Sequence, residues 1–145
     1  MVLMSRISRE EMLMAIAYVA SQRSTCSRLQ VGAVFSRDGR VISMGYNGAP
    51  AGMPHCVHPE DEEANAGCEI SEHAERNAIA YAARYGVALG DSEVHLTHAP
   101  CLPCSRTLVN AGVRAVTFGI PYRKTDGLEF LLAAGLEVVG PPAEV

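Results

Sequence analysis

A chain of 145 residues, 48% of them apolar, is long enough for one domain with a real core, and none of its apolar runs is long enough to cross a bilayer. A net charge of −4 without a dense Lys/Arg run argues against a polyanion such as DNA or tRNA as partner, while leaving room for a single nucleotide held by one or two arginines. Five cysteines, an odd number with two in a metal-type pair, point to a reducing cytosol rather than a disulfide framework, and Met1–Arg6 carries no leader pattern.

Ser8-Arg9-Glu10-Glu11 is a capping-box pattern. Apolar residues recur at Met12, Ile16 and Val19, with Leu13, Ala17 and Ala20 beside them, so a helix is predicted over about 9–23. After a polar stretch around Cys26 and Arg28, the runs Val31–Phe35 and Val41–Gly45 flank Asp38-Gly39, which predicts a hairpin. The second strand ends in Gly45-Tyr46-Asn47-Gly48-Ala49-Pro50-Ala51-Gly52, a tight loop with close backbone approach. Its Asn47 amide can donate and accept toward a sugar; an ordinary turn is the alternative.

Residues 53–70 are the least regular and carry His55, Cys56, His58, Cys68 and an acidic run, Glu60–Glu63, read as solvated surface. Cys26, Cys56 and Cys68 with His55 or His58 would make a closed tetrahedral zinc site stapling this loop; three buried free thiols are the alternative. Ser71 is the expected cap of a helix running to about Tyr85, stopped by Gly86 and Gly90. A strand (94–97), a helix (101–111), a strand (113–119), a helix (128–134) and a last strand (136–139) follow, with a loose tail from Gly140. This alternation predicts one α/β domain over 1–145, a central five-stranded mixed sheet with helices on both faces in a three-layer sandwich.

Two short stretches carry the chemistry. Pro100-Cys101-Leu102-Pro103-Cys104 puts two thiols three residues apart, on one face of a helix's first turn. His73-Ala74-Glu75 puts an imidazole two residues before a carboxylate. One His and two Cys leave the fourth position of a tetrahedral zinc open, as a catalytic zinc requires, and a Glu that does not ligate can shuttle protons. Either stretch alone is ambiguous; together, in this order, they make the H-x-E then P-C-x-x-C signature of the zinc deaminases. A purely structural zinc would want a fourth protein ligand and would have no use for Glu75.

With Gln30-Val31-Gly32-Ala33-Val34, Gly45-Tyr46-Asn47-Gly48, His73–Ile79 and Pro100–Cys104 in place, the chain resembles the deoxycytidylate deaminases of the zinc-dependent cytidine deaminase superfamily over nearly its whole length. The metal motif is common to the superfamily; the Gly-Tyr-Asn-Gly loop points to the deoxycytidylate branch. The resemblance implies a five-stranded sheet sandwiched by helices and a cytoplasmic homo-oligomer, often a hexamer. It implies hydrolysis of dCMP to dUMP with ammonia release, zinc-activated water attacking C4 while Glu75 moves protons. Zinc ligation is assigned to His73, Cys101 and Cys104, and substrate binding to Asn47, Ala74, Arg28, Tyr122 and Arg123. Some relatives hold a second zinc with cysteines matching Cys26 and Cys56, and some are switched by dCTP and dTTP. Other readings are a deaminase of a 5-substituted dCMP or of another pyrimidine or pterin-like base, and a non-catalytic zinc-stabilised relative. Free cytidine deaminases usually have Cys where His73 stands, and a tRNA adenosine deaminase would want a basic surface.

Overall fold

The structure is a computed structural model that describes residues 5–59 and 67–141. The expectations placed on Met1–Met4, on the acidic run Glu60–Glu63 and on the last four residues of the tail lie outside them. Among the described residues, no helix is long and apolar enough to cross a membrane.

The hydrophobic pattern folds as α1 (Arg9–Ser21), β1 (Gly32–Arg37), β2 (Arg40–Tyr46), α2 (Ala74–Tyr85), β3 (Glu93–His98), α3 (Leu102–Asn110), β4 (Ala115–Ile120), α4 (Asp126–Ala133) and β5 (Glu137–Val139). The capping box that starts α1 is complete. Ser8 Oγ accepts from the Glu11 amide at 3.0 Å, and Glu11 Oε2 accepts from the Ser8 amide at 2.9 Å. Such a cap is worth roughly 1 kcal/mol. The β1–β2 turn places Asp38 at φ 53° and Gly39 at φ 75°, the left-handed pair that a tight hairpin needs.

The sheet order is β2-β1-β3-β4-β5, with β2, β1 and β3 antiparallel and β3, β4 and β5 parallel. The three layers are unequal. Ala33, Phe35, Val94, Leu96, Val116 and Phe118 face α2, α3 and α4 through Ala74, Ala78, Ala82, Leu108 and Leu131, forming the main core. On the other side Val34 meets Leu13 and Ala17 of α1 in a smaller cluster. Two glycines let helix backbones lie directly on the hairpin. A Cβ on Gly32 would come within 1.9 Å of the Ala17 carbonyl, and one on Gly45 within 2.6 Å of the Ala74 carbonyl. The second approach presses the N-terminal turn of α2 onto β2, where the chemistry-bearing side chains begin.

One local expectation changes. α2 is not capped by Ser71; His73 itself occupies the N-cap, with φ −72° and ψ 149° and no side-chain cap bond. Cys101 likewise is the N-cap of α3 (φ −71°, ψ 167°) rather than a first-turn residue.

Candidate functional site

Two helix starts converge at the carboxyl end of the parallel strands. β3 runs through His98-Ala99-Pro100 into the N-cap Cys101, and α2 begins beside it with N-cap His73. His73 Nδ1 lies 3.5 Å from Cys101 Sγ and 3.3 Å from Cys104 Sγ. A nitrogen and a sulfur sharing one tetrahedral zinc, with bonds of about 2.0 and 2.3 Å, stand roughly 3.6 Å apart. These three donors therefore fit zinc, and they form a three-membered group with no fourth His, Cys, Asp or Glu among the described residues.

The electrostatics suit the same use. The Cys104 thiol, then the His73 imidazole, hold Cys101 at about 4, so it is a thiolate at neutral pH. Cys104 is pushed the other way by its contact with Cys101 and by burial. Cys101 also raises the His73 pKa. Glu75, 4% exposed at the second position of α2, is raised above the ordinary carboxylate range by burial. A carboxylate made more basic by burial is suited to taking a proton and returning it.

These groups open on a pocket of about 510 Å³ that also touches Asn47, Ala74, Arg28, Tyr122 and Arg123. Asn47 is 8% exposed, and its amide spans the chain before β1. Oδ1 accepts from the Val31 amide at 2.8 Å and Nδ2 donates to the Leu29 carbonyl at 2.6 Å. One N–H and one lone pair of that amide are left over for a ligand. Arg28 donates to the Gly67 carbonyl, and the Arg123 guanidinium lies 5.6 Å from the centre of the Tyr122 ring. The Asn47 loop is tied to the α2 start by reciprocal Gly48–Glu72 backbone bonds of 3.1 and 2.8 Å. Asn77 of α2 adds a 2.9 Å bond to the Tyr46 carbonyl.

A second cluster lies at the pocket's edge. One ligand atom from each of Cys26, Cys56, His58 and Cys68 falls within 4.8 Å of the others. Cys26 Sγ and His58 Nε2 are 3.5 Å apart, again near the spacing across a zinc. His58, not His55, completes the set; His55 is exposed and outside it. Burial, then Cys26 and Cys68, push Cys56 up to about 12. Against the upward push of burial, the Ser71 and Ile70 amides bring Cys68 down to about 7. None of the five cysteines is in a disulfide.

Thr97, the end of the strand expected over 94–97, and His98 beside it were assigned no role in the site from the sequence. Thr97 Oγ1 accepts from the Gly32 amide at 3.0 Å and lies 2.8 Å from His98 Nδ1, and His98 lines the pocket. The available signal was adjacency, since His98 stands three residues before Cys101.

The family described as cytidine and deoxycytidylate deaminase zinc-binding region matches residues 7–120. ComE operon protein 2 of Bacillus subtilis is 38% identical over 83% of this chain, which spans 64% of that protein's length. Deoxycytidylate deaminase of Mycobacterium phage D29 is 35% identical over 79% of this chain and 97% of its own. The crystal structure of dCMP deaminase from the cyanophage S-TIM5 in complex with dCMP and dUMP superposes with a TM-score of 0.82 at 36% identity, covering 90% of this chain and 95% of that one.

Proposed function

The chain belongs to the cytidine and deoxycytidylate deaminase family, and we propose that it hydrolyses dCMP to dUMP and ammonia. The observation that carries this reading is the buried Glu75 carboxyl beside a three-donor zinc set that opens on a nucleotide-sized pocket.

His73, Cys101 and Cys104 would hold the catalytic zinc. Bound there, zinc supplies Lewis-acid activation of water at neutral pH. Glu75 accepts a proton from the attacking water and hands it to N3 of the cytosine, then takes the proton of the new C4 hydroxyl and delivers it to the departing amine, and so ends the cycle as the carboxylate it began as. Its burial serves both roles, because raising the pKa strengthens the carboxylate as a base while the protonated form can still give the proton back. The N–H and lone pair left on Asn47 orient the sugar, and Ala74 packs at the base. Arg123 with Tyr122, and Arg28, are the donors for the 5′-phosphate, whose charge makes each such bond stronger than a neutral one.

The same proposal extends to a structural zinc on Cys26, Cys56, His58 and Cys68, which would pin the 47–72 loop against the α2 start. It further includes a single domain over 1–145, a homo-oligomer in the cytoplasm, and control by dCTP or dTTP. The family resemblance supports these last elements. Exposed apolar side chains such as Tyr81 (53%) and Tyr85 (60%) are compatible with burial against further copies.

Zinc-loaded protein incubated with dCMP, cytidine and deoxyadenosine, with ammonia as the readout, tests the reading. Release from dCMP well above that from the other two is expected. Inactivity on all three, with zinc bound, would replace it by a non-catalytic zinc-stabilised role.

A further inference from the structure

Besides His73, the pocket wall holds a histidine that neither metal cluster uses. His98 is the last residue of β3 and is half-buried. Its Nδ1 is 2.8 Å from Thr97 Oγ1, and that hydroxyl already accepts the Gly32 amide at 3.0 Å. Thr97 is fully buried, so its own proton goes to the one acceptor at hand, the His98 Nδ1 lone pair. The imidazole is thereby fixed with its proton on Nε2. Burial also lowers the His98 pKa, which keeps the ring neutral. Nε2 has no partner among the described residues. The pocket thus contains a donor whose direction is set by the sheet.

Register says which chain stands beside that donor. His98 pairs with Ile120 of β4, and the Ala99 amide donates to the Ile120 carbonyl at 2.8 Å. Two and three residues past Ile120 stand Tyr122 and Arg123, in a cation-bearing part of the pocket. On the reading given above, this is the phosphate end. A neutral N–H is useful there: it adds a directional charge-assisted bond without placing another positive charge beside the zinc ligands.

We propose that His98 contacts the substrate and selects for its 5′-phosphate by donating its Nε2–H to a phosphate oxygen. Thr97 is the positioning residue that holds it in the donor tautomer. This rests on the dCMP reading for its substrate, and the test keeps the two apart.

The zinc-loaded full chain, labelled with nitrogen-15 histidine, is observed by NMR while dCMP or deoxycytidine is added. His98 shows an unprotonated Nδ1 and a protonated Nε2 in the free protein, and Nε2 shifts with dCMP but not with deoxycytidine. In kinetics, His98→Ala raises KM for dCMP about tenfold, the loss of one bond to a charged group, with kcat little changed and deoxycytidine turnover unaffected. His98→Gln, which keeps a donor, recovers part of the loss, and Thr97→Ser, which keeps the hydroxyl, matches the unaltered protein. Equal losses on both substrates would place His98 at the base or sugar and overturn the proposal, as would a His98 Nε2 that dCMP leaves unmoved. Absence of ammonia from dCMP in the unaltered protein would instead count against the dCMP reading, with the NMR comparison still deciding the contact.

Discussion

Two cysteine–histidine clusters share one pocket rim and are built in opposite ways. His73, Cys101 and Cys104 come from two helix N-caps and the first turn of α3, seated on the central strands. Cys26, Cys56, His58 and Cys68 come from irregular chain, between α1 and β1 and between β2 and α2. The first set has three donors, one of them exposed, and a buried carboxyl at its side; the second has four donors and no carboxyl in the group. Donor number decides the use. Three protein donors leave a coordination position for chemistry, and four close the shell. Support differs accordingly: the open set sits on helix starts at the sheet, whereas the closed set joins described segments outside helix and strand.

The contrast breaks most sharply at the open cluster. Cys101→Ala should abolish zinc retention at that site and all ammonia release; full activity in that variant, or in a metal-free preparation, would refute the assignment. Glu75→Gln separates ligation from proton transfer. Zinc content and melting temperature should stay, while kcat falls by ~10²–10⁴-fold or more. A variant that loses its zinc would make Glu75 a ligand instead. The closed cluster should answer in stability before it answers in rate. Elemental analysis of the unaltered protein should give about two zincs per chain, and Cys26→Ser/Cys56→Ser about one, with melting earlier by at least about 5 °C. One zinc in the unaltered protein, all lost on changing His73, would leave those cysteines as ordinary thiols. Arg123→Ala should raise KM for dCMP by roughly tenfold while sparing deoxycytidine, since one bond to a charged group is lost. The smallest effect sharpens the comparison furthest: His58→Ala should weaken the second zinc, and His55→Ala should change neither metal content nor melting.

The open cluster was legible because its residues are close in sequence and lie at strand-to-helix turns. Two thiols three apart and a His two before a Glu need little beyond a helix start to meet. The hairpin was legible from Asp38-Gly39, and the helix start from Ser8 and Glu11, because these are local backbone effects. The choice of His58 over His55 was not, because it depends on the path of an irregular loop with no periodicity. Ser71 as a cap failed for a related reason. The Gly48–Glu72 bridge extends the chain up to His73, so the N-cap falls two residues after Ser71. Asn47 was seen as a ligand group, but its two bonds to the 29–31 backbone need the fold to be visible. His98 was passed over because a lone histidine at a strand end carries no pattern of its own.

The chain order of the two clusters has a consequence for how the protein is made. On a ribosome the amino-terminal part emerges first. Cys26, Cys56, His58 and Cys68 all precede His73, and Cys101 and Cys104 follow only after the whole of α2 and β3. A nascent chain can therefore complete the closed donor set while the open one still lacks both thiols. With translation arrested late enough for Cys68 to have left the ribosome and before Cys101 has, zinc should protect the emerged segment from proteolysis, and Cys26→Ser should remove that protection. The loop that borders the pocket would then be set before the strand that completes the pocket has been synthesised.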